Sequence, residues 1–240
     1  GGHLMRTGTS PSETALSESS LNEKALCDYV VNVAEGCAHG CTFCYVPSTP
    51  NYRFDPGDKL AEAGVDDPRE EWGEYVLYRD DLVDYLEAQL QSMSGWRTTD
   101  RGQGVVGISF GTDAFMTERA GAIAVEAAET LVDHGKPVRI LTRNPRLADD
   151  LFGDRLEALA DSELITIGTS VPGFDDAKVA ALEPSAPPVS ARLAGLESLE
   201  SRDIPVYVSM SPVYPSIGTE GLQETVELIV ERILAFVRDH

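Results

Sequence analysis

The sequence predicts an α/β fold, a partial and open barrel of parallel strands flanked by helices. Two observations predict it. Short apolar strand patterns alternate with amphipathic helix patterns five times along the chain, the order expected of right-handed crossover units. A closed eight-unit barrel wants ~250 residues and eight strands, whereas these 240 residues carry five strands, a long polar insertion and no evident sixth strand.

Residues 1–22 come first. Residues 1–5 have the character of a tag remnant, and residues 6–22, rich in Ser, Thr, Glu and Gly without apolar period, read as a disordered arm. A single core domain is expected over residues 23–240. Its first strand carries Tyr29, Val30, Val31 and Val33. A polar insertion follows at about 45–78; residues 55–87 hold 12 acids and 3 bases with Pro56, Gly57, Pro68 and Gly73 as breakers, which predicts solvated loop or short helix. Regular structure resumes with Leu82, Tyr85, Leu86, Leu90 and Met93 at helical spacing, then an apolar strand at 105–110.

Helical period over 120–134 (Ile123, Ala127, Leu131) ends at Gly135 and Pro137, where a helix stop belongs. The remaining strands are expected at 138–141, 164–167 and 205–210. Helices built on Leu147, Leu151, Leu156 and Leu159, and on Leu193, Leu196 and Leu199, separate them. A last helix carries Leu222, Val226, Ile229, Ile233 and Val237.

Charge narrows the partners. Forty acids against 19 bases leave a net charge of -21, with lysine only at positions 24, 59, 136 and 178. Such a surface does not hold nucleic acid by bulk electrostatics, and it suits a protein working in concentrated salt. No apolar run approaches the ~18 residues of a membrane span, so the expectation is a cytoplasmic chain with no membrane partner.

Three of the four cysteines fall in one run after the first strand, Cys37-Ala38-His39-Gly40-Cys41-Thr42-Phe43-Cys44. In an intracellular chain that clustering points to metal or catalysis before disulfides. A structural zinc site takes four ligands, and three thiolates are one short. On a four-iron cluster the same shortfall leaves one iron open to a substrate or cofactor. Reaching a shared metal from His39 would strain the Gly-bounded turn. A non-enzymatic iron-sulfur or zinc binding module is the alternative reading, although such a module completes its ligand set.

The segment from Asn32 to Tyr45 resembles the signature of radical S-adenosylmethionine enzymes, with Phe43 as the aromatic residue before the last cysteine. Likeness extends to the subgroup related to spore photoproduct lyase: Gly36-Cys37-Ala38-His39-Gly40-Cys41, Gly111-Thr112-Asp113, Glu183-Pro184-Ser185-Ala186-Pro187 and Ser211-Pro212-Val213-Tyr214-Pro215 resemble its motifs. The resemblance implies a partial (β/α)6 barrel. It also implies a [4Fe-4S] cluster on Cys37, Cys41 and Cys44, with S-adenosyl-L-methionine on the open iron and a one-electron donor such as ferredoxin or flavodoxin. The substrate is then a nucleic-acid lesion, as the subgroup suggests, or a small molecule or peptide. The second is favoured by the acidic surface and by the lack of any cysteine after Cys44, since the lyases use one there as hydrogen donor.

In such barrels the working residues gather at the carboxyl ends of the strands. That rule selects Gly111-Thr112-Asp113, Thr142-Arg143-Asn144, Thr169-Ser170 and Ser209-Met210-Ser211. For the implied cofactor, Thr112 and Asp113 suit the ammonium, Arg143 the carboxylate and Ser170 the ribose, with Phe43 beside the adenine and Gly111 in the glycine-containing motif. Each has a plain structural alternative as a cap, a turn or a surface pair. No catalytic residue is singled out. Cys27 reads as a core thiol, and Tyr207 and Tyr214 as packing residues or phenol donors.

Overall fold

The computed structural model describes residues 5–50, 52, 58–212 and 231. In chain order the strands among them are β1 (Arg6–Thr9), β2 (Ser17–Glu18), β3 (Tyr29–Val31), β4 (Ala34–Gly36), β5 (Tyr75–Tyr78), β6 (Val106–Ile108), β7 (Val138–Thr142), β8 (Ile165–Ser170) and β9 (Val206–Ser209). The helices are α1 (Asp58–Glu62), α2 (Leu82–Ser92), α3 (Glu118–Asp133), α4 (Pro145–Ala160), α5 (Asp176–Leu182) and α6 (Val189–Glu200). The larger sheet has the order β2-β3-β6-β7-β8-β9, and the smaller β1-β5-β4.

In the larger sheet β3, β6, β7, β8 and β9 pair in parallel, and β2 adds an antiparallel edge to β3. These five parallel strands fall on the five predicted segments, and no closed barrel forms. The period of two explains the layering: Val31, Ile108, Ile140 and Ile167 are fully buried beneath the helices, while Val30, Asn32, Arg139 and Tyr207 alternate with core residues. Each core aliphatic contributes roughly 1.5–3 kcal/mol by leaving water. The helices begin where the chemistry allows. Thr117 caps α3 by accepting from the amide of Ala120, and Asn144 caps α4 ahead of Pro145.

Two expectations are corrected. Residues 6–9 are not a disordered arm: they form β1, parallel to β5. The physical reason is β5 itself, whose four residues are all buried and whose two edges need partners. β1 supplies one edge and β4 the other. Arg6 reinforces the pairing with Gly64, Glu71 and Glu74. The segment at 45–78 is likewise more than a solvated insertion, because Leu60, Val65, Tyr75 and Leu77 make a second small core with Tyr52 and Trp72 packed on it. The last helix, Tyr214 and the question of a sixth strand lie outside the described residues. Among the described residues no helix is long and apolar enough to cross a membrane.

Candidate functional site

The cysteine loop begins where β4 ends, and close backbone contacts fix its path. Gly36 has φ +81°, and a Cβ there would lie 2.3 Å from the carbonyl oxygen of Tyr75. Gly73, at φ +100°, approaches the loop so closely that its Cβ would lie 2.6 Å from the Cα of Gly40. Only glycine meets both demands. On the other side, the amide and hydroxyl of Thr42 donate to the carbonyl of Leu182 at 2.9 and 3.2 Å, and His39 Nδ1 lies 3.3 Å from the carbonyl of Ser185. The loop is thus held between the segment at 45–78 and the stretch after α5.

Its three thiols are drawn from water to different degrees. Cys37 and Cys41 are 8% and 7% exposed, and Cys44 is half-buried beside the indole of Trp72. Burial pushes the Cys41 thiol up to about 11, against the opposing charge of Arg143. Burial raises Cys37 further, and the carboxylate of Asp113 adds to it. A metal binding here must displace these protons. Among the described residues no three His, Cys, Asp or Glu side chains are grouped to hold a single metal ion. Zinc needs such convergence. A cubane, with one thiolate on each of three irons, does not. Cys27 stands apart, its sulfur against Gly107, and burial pushes its thiol to about 11.

Behind the thiols runs a buried polar network. Asp113 accepts from the Thr142 hydroxyl at 2.6 Å and from the amides of Arg143 and Phe115 at 2.7 and 3.0 Å. His39 Nε2, with no hydrogen-bond partner among the described residues, lies 3.4 Å from its second oxygen. Burial opposes ionisation of Asp113, yet the neighbouring His39 ring and these bonds outweigh it and hold the carboxyl well below the usual range. Arg143 Nε donates to Glu183 at 3.0 Å, and its guanidinium lies 5.7 Å from the Phe43 ring centroid. Arg192, fully buried, donates to the other oxygen of Glu183, to the carbonyl of Pro187 at 2.8 Å and to that of Ser170 at 2.9 Å. Arg143 therefore stays charged: burial works against it, but Cys41, Glu183 and Asp113 raise its pKa.

Of the residues selected from the sequence, Cys37, Cys41, Cys44, Phe43, Asp113 and Arg143 come together here. Thr112 joins them by donating its hydroxyl to the carbonyl of Gly36 at 2.6 Å, and the amide of Gly111 donates to Asn32 at 2.8 Å. Ser170 is buried with its hydroxyl donated to the carbonyl of Ser211, so it ties β8 to the end of β9. Sequence reasoning left out the roles of His39 and Arg192. His39 carried a signal, its place between two cysteines. Arg192 carried none, because in a sequence a buried arginine is indistinguishable from a surface one.

Comparison with known proteins gives a family and a fold. The family model described as the Radical SAM superfamily matches residues 31–229. The uncharacterized protein ORF301 of Acidianus two-tailed virus is 25% identical over 225 residues, which are 93% of this chain and 69% of that one. An uncharacterized protein of Mycobacterium tuberculosis is 24% identical over 195 residues, so the chain spans 52% of its length. Among solved structures, spore photoproduct lyase complexed with dinucleoside spore photoproduct superposes with a TM-score of 0.64 at 14% identity, covering 96% of this chain and 57% of that one. A mutant of the same lyase with bound AdoMet gives the same TM-score. That likeness is one of fold.

Proposed function

The chain belongs to the radical SAM superfamily, and from that membership we propose that Cys37, Cys41 and Cys44 hold a [4Fe-4S] cluster at which S-adenosyl-L-methionine is bound and cleaved. The observation that carries the reading is the set of three desolvated thiols on one braced loop with the Arg143 guanidinium beside Cys41. Held there, the cluster and S-adenosyl-L-methionine would together supply hydrogen-atom abstraction by a 5'-deoxyadenosyl radical. The cofactor does that hard chemistry, and the protein binds, orients and excludes water.

The chain's own residues divide that work. Arg143, fixed on one side by Glu183, offers its remaining N–H groups to the cofactor carboxylate. Its cation also offsets the negative charge of the thiolates once their protons have left. Thr112 borders the ammonium. Asp113, with both oxygens engaged, acts through its charge and by joining the loops after β6 and β7. Phe43 borders the adenine, and Ser170 keeps lone pairs for the ribose. A one-electron donor of the ferredoxin or flavodoxin kind supplies the electron. The substrate is a nucleic-acid lesion or a small molecule or peptide.

The test is anaerobic reconstitution with iron and sulfide, then dithionite with S-adenosylmethionine, and chromatography of 5'-deoxyadenosine against Cys41→Ala. Product that disappears in the variant is the expected result. A full four-iron cluster that makes none would leave an electron-carrying module, and zinc in place of iron would overturn the reading.

A further inference from the structure

Beside β3, against Val30 and the neighbouring Asn32, lies a cavity of about 690 Å³. Its wall includes Thr14, Ser17, Asn32, Tyr45, Arg79 and Gly111. Tyr45 directly follows the last cysteine of the loop, and Gly111 directly precedes Thr112, so the cavity borders the proposed cofactor site. Tyr45, 60% exposed, bonds the carbonyl of Phe110 through its hydroxyl at 2.9 Å and stands as an aromatic edge to the opening. The size is that of a pocket for one small molecule.

Arg79 is the unusual member of the wall. Its guanidinium donates to the Ser12 hydroxyl at 3.2 Å, to the carbonyl of Asn32 at 3.1 Å and to that of Thr14. All three acceptors are neutral. Among the described residues it makes no ion pair, whereas the other cation in the wall, Lys59, is matched by Glu35. Burial pushes the Arg79 guanidinium down, only partly restored by the charges of Glu35 and Asp81. A half-buried guanidinium with neutral partners calls for an anion. Five N–H groups and three acceptors leave two donors for it.

We propose that this cavity is the substrate site, and that the substrate is a small molecule bearing an oxyanion, a carboxylate or a phosphate, held by Arg79. The proposal rests on the radical reading above and names the substrate class for it. Residues 11–21 roof the cavity, and Glu13 and Glu35 line it, which disfavours a polyanionic strand and leaves room for one compact anion.

The experiment is binding, independent of cofactor cleavage. The full chain, with and without its reconstituted cluster, is titrated by calorimetry with inorganic phosphate, with succinate and with an oligothymidylate. In parallel, phenylglyoxal labelling of each arginine is mapped by mass spectrometry with and without each probe. Phosphate or succinate should bind at one site and protect Arg79. Arg79→Gln should weaken that binding about tenfold or more, the worth of one charge-assisted hydrogen bond. Arg79→Lys should keep part of it, and Arg155→Gln, at the ion pair between α4 and Glu129 of α3 and outside the cavity wall, should change nothing. Protection is read on the unmodified sequence, so it stands even where Arg79→Gln loosens the roof. Unchanged labelling of Arg79 under saturating phosphate and succinate would overturn the proposal, as would protection by the oligonucleotide alone. Loss of 5'-deoxyadenosine production with oxyanion binding intact would instead count against the radical reading.

Discussion

Glu183 Oε1 sits 3.0 Å from Arg143 Nε, so the carboxylate that neutralises the buried Arg192 also aims the guanidinium beside Cys41. Removing the charge leaves the buried Arg192 without a counter-ion and Arg143 with only Asp113 nearby. Glu183→Gln is therefore expected to cost about 3–5 kcal/mol, read from urea denaturation. If the carboxylate also aims Arg143, the surviving folded protein binds S-adenosylmethionine about tenfold more weakly at unchanged iron content. Iron lost in step with affinity would mean that only the loop had collapsed.

Alanine at Cys37, Cys41 or Cys44 is expected to abolish retention of a four-iron cluster, while Cys27→Ala keeps it. Iron and sulfide analysis with electron paramagnetic resonance of the reduced protein checks this. The contrast follows from position: Cys27 packs on Gly107, away from the loop.

The contact between Gly40 and Gly73 predicts a graded glycine series. Gly73→Ala places a Cβ 2.6 Å from backbone at φ +100°, so a loss of about 2–4 kcal/mol is expected. Gly135→Ala, at φ +68° with nothing within 4 Å, should cost only about 1–2 kcal/mol. Equal melting temperatures for the two variants would remove the close approach as the cause.

Asp28 sets an acid limb on stability. It accepts from the Thr99 amide at 2.9 Å, the Thr99 hydroxyl at 2.7 Å and the Gly104 amide at 2.8 Å. Burial works against its ionisation, but the bonds from Thr99 and Gly104 and the charge of Arg97 win and depress its pKa. The sign follows from linkage: stability is fully present above the unfolded value near 4 and is lost as pH falls through the lower folded value. Asp28→Asn should cost about 2 kcal/mol at neutral pH and flatten the fall between about pH 4 and 2. Denaturant melts across that range measure both.

What could be read from the sequence followed local rules. The strands at Val138–Thr142 and Ile165–Ser170 announce themselves by aliphatic runs between helix stops and caps, and their pairing is that of the crossover rule. The cysteine loop was legible for the same reason, since its chemistry is contiguous. What stayed hidden was non-local. The Arg-Thr-Gly-Thr sequence of β1 has no strand pattern and becomes one only because β5 lies 66 or more residues away in the chain and offers an edge. Tyr-Val-Leu-Tyr in β5 has no alternation, because both of its faces are covered. Arg79, at its end, reads as one more base in an acidic stretch until the fold places neutral carbonyls around it.

The pairing of β1 with β5 bears on how the molecule can be taken apart. A minimal fragment begun at residue 23, the boundary suggested by composition, would strip one edge from a fully buried strand. The bare amides and carbonyls of β5 would then be free to recruit a strand from another molecule, so such a fragment would tend to self-associate during production. Preparations intended for crystallisation or cluster loading are best made with residues 6–22 in place.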